Sequence, residues 1–400
     1  MPNQLSPQHI DIHGRSAIKS MAVYDRLLLF SAIALLAIGL LMVASSSMVI
    51  AEKYYQQAFY FFIRQLFYLG LGLAFALMTL RIEVEKWQKA SVILLFITII
   101  LLVLVLIPGI GRSVNGSMRW IKFAGVGFQV SELAKLFMVV YFAGYLLRHH
   151  QQVCHKLIGF LKPILVLLIV AALLLKEPDF GAMVVIVMTA LGMMFLAGVR
   201  IWQFLLLLFF SGAGIAFLAI SSPYRMARMT AFLDPWADQF NTGYQLTQSL
   251  IAFGRGGWFG EGIGSGIQKL FYLPEAHTDF LFAVLAEELG FLGVLIVIGL
   301  FTLLVSRAFV IGRRAMIHDQ PFAGYLAYGI GLWLGLQALF NMGVNVGLLP
   351  TKGLTLPLMS YGGNSLLVMC VVIALLLRID HETRCHILGF SPNPSKRGYS

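Results

Sequence analysis

The stretch Tyr272-Leu273-Pro274-Glu275-Ala276-His277-Thr278-Asp279-Phe280 closes a long polar segment and leads into an apolar run. An aspartate in that place has two readings. It can cap the helix that follows, a common task for Asp after a loop. It can also act as a general base: partial desolvation at a membrane boundary strengthens its hold on a proton, while the helix N-terminus keeps it ionised. His277 could relay a proton or bond a backbone carbonyl. Glu287 and Glu288, two turns deeper, suit a structural salt bridge at least as well as catalysis.

Other charged groups fall against apolar runs. Glu132 and Lys135, three apart, share one helix face. They form either an internal ion pair or a charged wall that receives a polar or anionic group. Arg119, beside Trp120, suits phosphate and sugar contact and equally an interfacial anchor. Lys269 follows Gly254–Gly266, which holds seven glycines in thirteen residues. That stretch lacks the G-x-x-x-x-G-K-[ST] pattern of a phosphate loop, and no strand precedes it. Its glycines allow close backbone approach to a ligand, or a compact flexible loop. Lys352-Gly353 and Ser360-Tyr361-Gly362-Gly363 interrupt the last two apolar runs. Irregular backbone at membrane depth is tolerated where it lines a cavity.

The elements that must position these groups are membrane helices. The chain has 400 residues, 59% hydrophobic and 12% charged, against about 45–50% and about 25% in an ordinary soluble domain. Apolar segments occupy 27–48, 58–80, 90–108, 131–148, 158–175, 180–198, 202–220, 279–306, 321–345 and 361–378. Each is near the length that spans hydrocarbon. The expected fold is all-α, with about ten transmembrane helices in one membrane domain over 1–400. Residues 1–24 and 379–400 are its tails, and 221–278 a large loop outside the membrane. With the amino terminus inside, sixteen Lys and Arg fall in inside segments and six in short outside loops. The positive-inside rule then places both termini in the cytoplasm. The net charge of +11 follows from those basic loops. No basic stripe interleaved with aromatics points to nucleic acid. Cys154, Cys370 and Cys385 form no C-x-x-C pair, so neither a disulfide framework nor a metal site is expected. These residues alone describe a membrane protein with a polar, partly basic cavity opening outwards. That fits a lipid-linked substrate and an anion transporter alike.

The motifs narrow this. Gly116-Ser117-Met118-Arg119-Trp120-Ile121, Gln129-Val130-Ser131-Glu132-Leu133-Ala134-Lys135 and Glu177-Pro178-Asp179-Phe180-Gly181 come in order. The glycine loop, the segment ending at Phe280, Asn345, Pro350-Thr351-Lys352-Gly353-Leu354-Thr355-Leu356-Pro357 and Ser360-Tyr361-Gly362-Gly363 follow. Over almost its whole length the chain resembles the SEDS family (shape, elongation, division and sporulation). The wording from Thr351 to Pro357 and the long polar amino terminus favour the division branch over the elongation branch.

The resemblance implies a peptidoglycan glycosyltransferase of the bacterial inner membrane, placed at the division septum, that polymerises lipid II. Asp279 matches the family's essential aspartate and would be the general base. Glu132 and Lys135 match charged cavity residues. Arg119, Lys269 and Lys352 are candidate pyrophosphate partners on charge and position, and His277 is a further substrate-contact candidate. The resemblance also implies help from a divalent cation, Mg or Mn, without a readable ligand set and with no tightly bound cofactor. It implies a class B penicillin-binding protein as partner, together with other division proteins and membrane lipid. Two positions depart from the family pattern: Val130 stands where proline is usual and Asn364 where serine is usual. The competing readings are a lipid II flippase and a scaffold that recruits the transpeptidase. A flippase needs no outward-facing base, and a scaffold needs no convergence of ionisable groups on one cavity.

Overall fold

The computed structural model describes residues 24–389, apart from 115–116, 124–125, 221–225, 227–231 and 352. The first three helices are α1 Arg26–Tyr55, α2 Tyr60–Arg81 and α3 Val84–Val105. A small sheet follows: β1 Gly111–Val114, β2 Ser117–Phe123 and β3 Val126–Gln129. The remaining helices are α4 Val130–His155, α5 Leu157–Lys176, α6 Phe180–Leu196, α7 Ile201–Ile220, α8 Tyr244–Gly256, α9 Leu281–Ile317, α10 Pro321–Asn345 and α11 Gly363–Ile387. Each of the ten apolar segments falls on a helix. Eight helices among the described residues are long and apolar enough to cross a membrane, and α6 is a shorter apolar helix.

Burial sorts these helices by layer. In α4 and α11, 83% of the most apolar window is buried, and in α10, 72%. The same measure is 17% for α2 and 28% for α3. Helices α4, α10 and α11 form the centre of the bundle. The outer helices turn Phe, Leu and Ile side chains outwards, among them Phe30, Phe67, Ile93 and Leu165. In a membrane protein such exposed faces meet lipid, so they carry no burial penalty. Helix α10 packs against α9, α4 and α6, and α11 lies along α2.

The small sheet is an addition to a fold that is otherwise all-α, as expected. Strand β2 pairs antiparallel with β1 and with β3, so Trp120 sits opposite Gln129 and Phe123 opposite Val126. A hairpin of such short strands leaves too faint an alternation to read from sequence. It lies between α3 and α4 and delivers the chain directly into the helix that carries Glu132 and Lys135.

The glycine-dense loop also has a structural purpose. Helix α9 breaks at Gly290, whose φ of 67° and ψ of −167° no helix allows. The break releases carbonyls before it and amides after it, and each released group costs several kcal/mol in hydrocarbon if left unmet. The loop answers them. Phe291 N donates to Gly257 O (2.9 Å) and Leu292 N to Trp258 O (3.1 Å), while Glu261 N and Gly262 N donate to Glu287 O (3.0 Å) and Glu288 O (3.1 Å). At Gly260, with φ +80°, a side chain would collide with the Glu288 carbonyl. Close backbone approach to a broken helix, rather than to a ligand, accounts for glycine there.

At the opposite end of the bundle, ion pairs join α1, α9 and α11. Asp25 pairs with Arg307, and Asp380 with Arg314 (2.7 Å) and Arg384 (2.8 Å). Helix α11 therefore runs on to Ile387, past residue 378 where the apolar run ends.

Candidate active site

A cavity of about 810 Å³ opens at the end of the bundle that carries the hairpin and the long loop, within the size range of small-ligand sites. Its wall includes Asp279, Glu132, Lys135, Arg119, Asp179 and Gly353, drawn from five separate chain segments.

Asp279 lies in the turn before α9. The N-cap position belongs to Phe280, whose own side chain makes no capping hydrogen bond. The carboxylate faces Gly353: a Cβ built there would stand 3.0 Å from Asp279 Oδ2. Any larger residue at 353 would press on that carboxylate.

Glu132 and Lys135 form an ion pair of 2.9 Å inside the first turns of α4. Lys135 Nζ also donates to Gln337 Oε1 (2.8 Å). Glu132 Oε2 is buried and has no hydrogen-bond partner among the described residues. The pair is thus both a buried salt bridge and part of the cavity wall.

Arg119, near the middle of β2, reaches across to the turn between α5 and α6. Its guanidinium donates to the carbonyls of Glu177 (3.4 Å) and Pro178, and stands 4.0 Å from Asp179 Oδ1. Asp179 also accepts from Ala182 N and so caps α6. Asn364, the second departure from the family pattern, donates from Nδ2 to Gly127 O (2.8 Å) and ties the start of α11 to the hairpin.

Two expected substrate contacts lie elsewhere. Lys269 is buried away from the cavity wall, 2.5 Å from Glu288 Oε1 and 2.8 Å from Ser45 Oγ. His277 packs between the rings of Phe61 (4.7 Å) and Tyr361 (5.5 Å). Burial pushes its imidazole below the usual histidine range, with Glu275 opposing. Its carbonyl accepts from Tyr361 N (2.9 Å). Lys352 lies outside the described residues. Arg64, in α2, lines the cavity instead. Its signal in the sequence was plain: a lone arginine inside an apolar segment, which is costly unless it faces a cavity.

Glu177 lies beside the site in the turn outside the spans. Both its carboxylate oxygens are buried without a hydrogen-bond partner among the described residues. Burial pushes its carboxyl from 4.5 up to about 8; Asp179 adds to this and Arg119 opposes it. The folded state holds the proton, so this group's stabilising contribution is complete below pH 4.5 and is lost as pH rises through about 8. Glu177→Gln fixes the neutral form. Across pH 5 to 9 its thermal midpoint is expected to lack the decline seen in the wild type and to lie above it at the alkaline end. Parallel curves for the two proteins would mean that the wild-type side chain is already ionised.

Comparison with known proteins places this geometry. The family model described as a cell cycle protein, named for FtsW, RodA and SpoVE, matches residues 25–385. The chain belongs to the SEDS family. This SEDS protein is 56% identical over 390 residues to the probable peptidoglycan glycosyltransferase FtsW of Legionella pneumophila, covering 98% of this chain and 99% of that one. It is 55% identical over 360 residues to the probable peptidoglycan glycosyltransferase FtsW of Coxiella burnetii, covering 90% and 97%. Among solved structures, it superposes on a chain of a peptidoglycan synthase complex that coordinates polymerization and crosslinking. The TM-score there is 0.75 at 29% identity, over 91% of this chain and 99% of that one. The rod shape determining protein RodA of Thermus thermophilus gives a TM-score of 0.67 at 28% identity, over 91% and 98%.

Proposed function

We propose that this SEDS protein is a peptidoglycan glycosyltransferase that polymerises lipid II during septal wall synthesis, with Asp279 as general base. The observation that carries the reading is a carboxylate on the wall of a cavity shared with cationic side chains, in a chain more than half identical to proteins named for that activity. Asp279 takes the proton from the 4-hydroxyl of the acceptor GlcNAc. The oxygen attacks the anomeric carbon of the donor MurNAc, a C–O bond forms, and undecaprenyl pyrophosphate departs with the bonding pair. Arg119, Arg64 and Lys135 place positive charge where the pyrophosphate develops its own negative charge. A cation in a cavity sheltered from water stabilises such charge far more than it would in bulk solvent.

Among the described residues no group of three or more His, Cys, Asp or Glu could hold a metal ion. No step is assigned to one. The protein works in the bacterial inner membrane with both termini cytoplasmic, beside a class B penicillin-binding protein that crosslinks the strands.

The test is polymerisation of purified lipid II by the purified protein with its transpeptidase partner. Glycan strands are the expected product. Lipid II moved across a vesicle bilayer without strands, while a known polymerase succeeds in the same assay, would replace this reading with the flippase.

The Glu132–Lys135 pair permits a sharper prediction. Lys135→Met leaves a buried carboxylate without its cation, which costs about 3–5 kcal/mol. Adding Glu132→Gln removes that cost. The double variant is expected to regain the wild-type thermal midpoint yet to polymerise about 10- to 100-fold more slowly, since a charged contact to substrate is worth about 1.5–3 kcal/mol. Wild-type rates in the double variant would make the pair structural alone.

A further inference from the structure

Helix α10 carries Trp333, Gln337, Asn341 and Asn345 at every fourth position. That spacing sets them on one face, and all four are buried. A primary amide inside a membrane bundle is expensive unless its donors and acceptor are met. Here each amide reaches main chain of the segments that form the site.

Gln337 Oε1 accepts from Lys135 Nζ and Trp333 Nε1, both at 2.8 Å, while its Nε2 donates to Thr355 O (2.9 Å). One rung further, Asn341 Nδ2 donates to Leu354 O (2.6 Å) and to Asp279 O (2.8 Å). Asn345 Nδ2 donates to Asp279 O (3.0 Å) and Asn341 O (2.8 Å), and its Oδ1 accepts from Ala283 N (3.1 Å). The Asn345 carbonyl in turn accepts from Ser249 Oγ in α8 (2.7 Å).

One amide group, that of Asn341, therefore clamps together the two segments that meet at the carboxylate. It holds the carbonyl of Asp279 itself and that of the residue after Gly353, whose Cα hydrogen faces Asp279 Oδ2. We propose that Asn341 is the positioning residue for the base: by gripping both carbonyls it fixes how far the Asp279 carboxylate projects past Gly353 into the cavity. Gln337 extends the same ladder to Lys135, so base and cation are registered against one helix. The inference rests on the reading of Asp279 as base. Asn341 touches no substrate in this scheme, so its loss moves the chemical step and leaves binding alone.

The experiment compares lipid II polymerisation by the full-length protein with its partner in wild type, Asp279→Asn, Asn341→Leu and Asn341→Asp. Asn341→Leu keeps the side chain's branch point and heavy-atom count and removes both donated bonds. Its kcat is expected to fall about 10- to 100-fold, the scale of a displacement of about 1 Å at a reacting group, with KM for lipid II within about twofold. Should the leucine variant not fold, Asn341→Asp carries the test. Ionised, it donates nothing; protonated, its O–H can bond one carbonyl. Its kcat relative to wild type is expected to rise as pH falls. A wild-type kcat in Asn341→Leu beside an inactive Asp279→Asn overturns this inference alone, as does an Asn341→Asp ratio that is flat with pH. Polymer from Asp279→Asn overturns the base reading, and this inference with it.

Discussion

Asp279→Asn is expected to lower the rate of glycan strand formation by about 10²- to 10⁴-fold, the contribution of a positioned general base. The amide is isosteric with the carboxylate and cannot take a proton from the acceptor hydroxyl. It leaves the Asp279 carbonyl in place, so the bonds from Asn341 and Asn345 persist and the turn before α9 keeps its shape. Membrane insertion, thermal midpoint and capture of the transpeptidase partner are therefore expected to match the wild type. The measurement is the initial rate of strand formation from lipid II, followed by gel separation of the strands. A wild-type rate in this variant would take the base role away from Asp279 and return it to the other carboxylates of the wall.

The second large effect falls on stability. Lys269→Met is expected to destabilise the protein by about 3–5 kcal/mol, the cost of stranding one member of a buried ion pair. Glu288, fully buried, would lose the Lys269 contact at 2.5 Å and keep only its bonds to Ser45 Oγ (2.7 Å) and Gly264 N (3.0 Å). Adding Glu288→Gln removes the stranded charge, and the double variant is expected to recover most of the lost thermal midpoint together with polymerase activity. This contrasts with the Glu132–Lys135 double variant, which is expected to recover stability alone. Thermal unfolding in detergent and the strand assay read the two pairs side by side. A Lys269/Glu288 double variant that is stable and inactive would restore Lys269 to the substrate.

The same logic explains the neighbouring acid. Glu287 accepts from Ile267 N (2.9 Å) and pairs with Arg255 (3.1 Å). Glu287 and Glu288 together fasten the glycine loop onto the break in α9. Of their two sequence readings, the structural one accounts for every bond they make here.

What the sequence by itself determined was the membrane frame and the family to which the chain belongs. Runs of about twenty apolar residues can do little else than span a bilayer, so all ten segments were legible. Asp279 was legible because a carboxylate at the mouth of such a run is costly, and its surrounding motif is distinctive. Only the tertiary structure decided which charges share the cavity with it. Lys269 and Arg119 look equally suited to a pyrophosphate as residues in a row. One is consumed by an acid nineteen positions away, across a glycine loop and a helix break; the other is carried to the cavity by a hairpin too short to announce itself. The amide ladder had a visible four-residue period in α10, yet its meaning lies in carbonyls at 279 and 354, which local pattern does not reach. Membrane burial depends on local composition and can be read along the chain. Pairing depends on which distant segments the bundle brings within about 3 Å, and only the folded chain decides that.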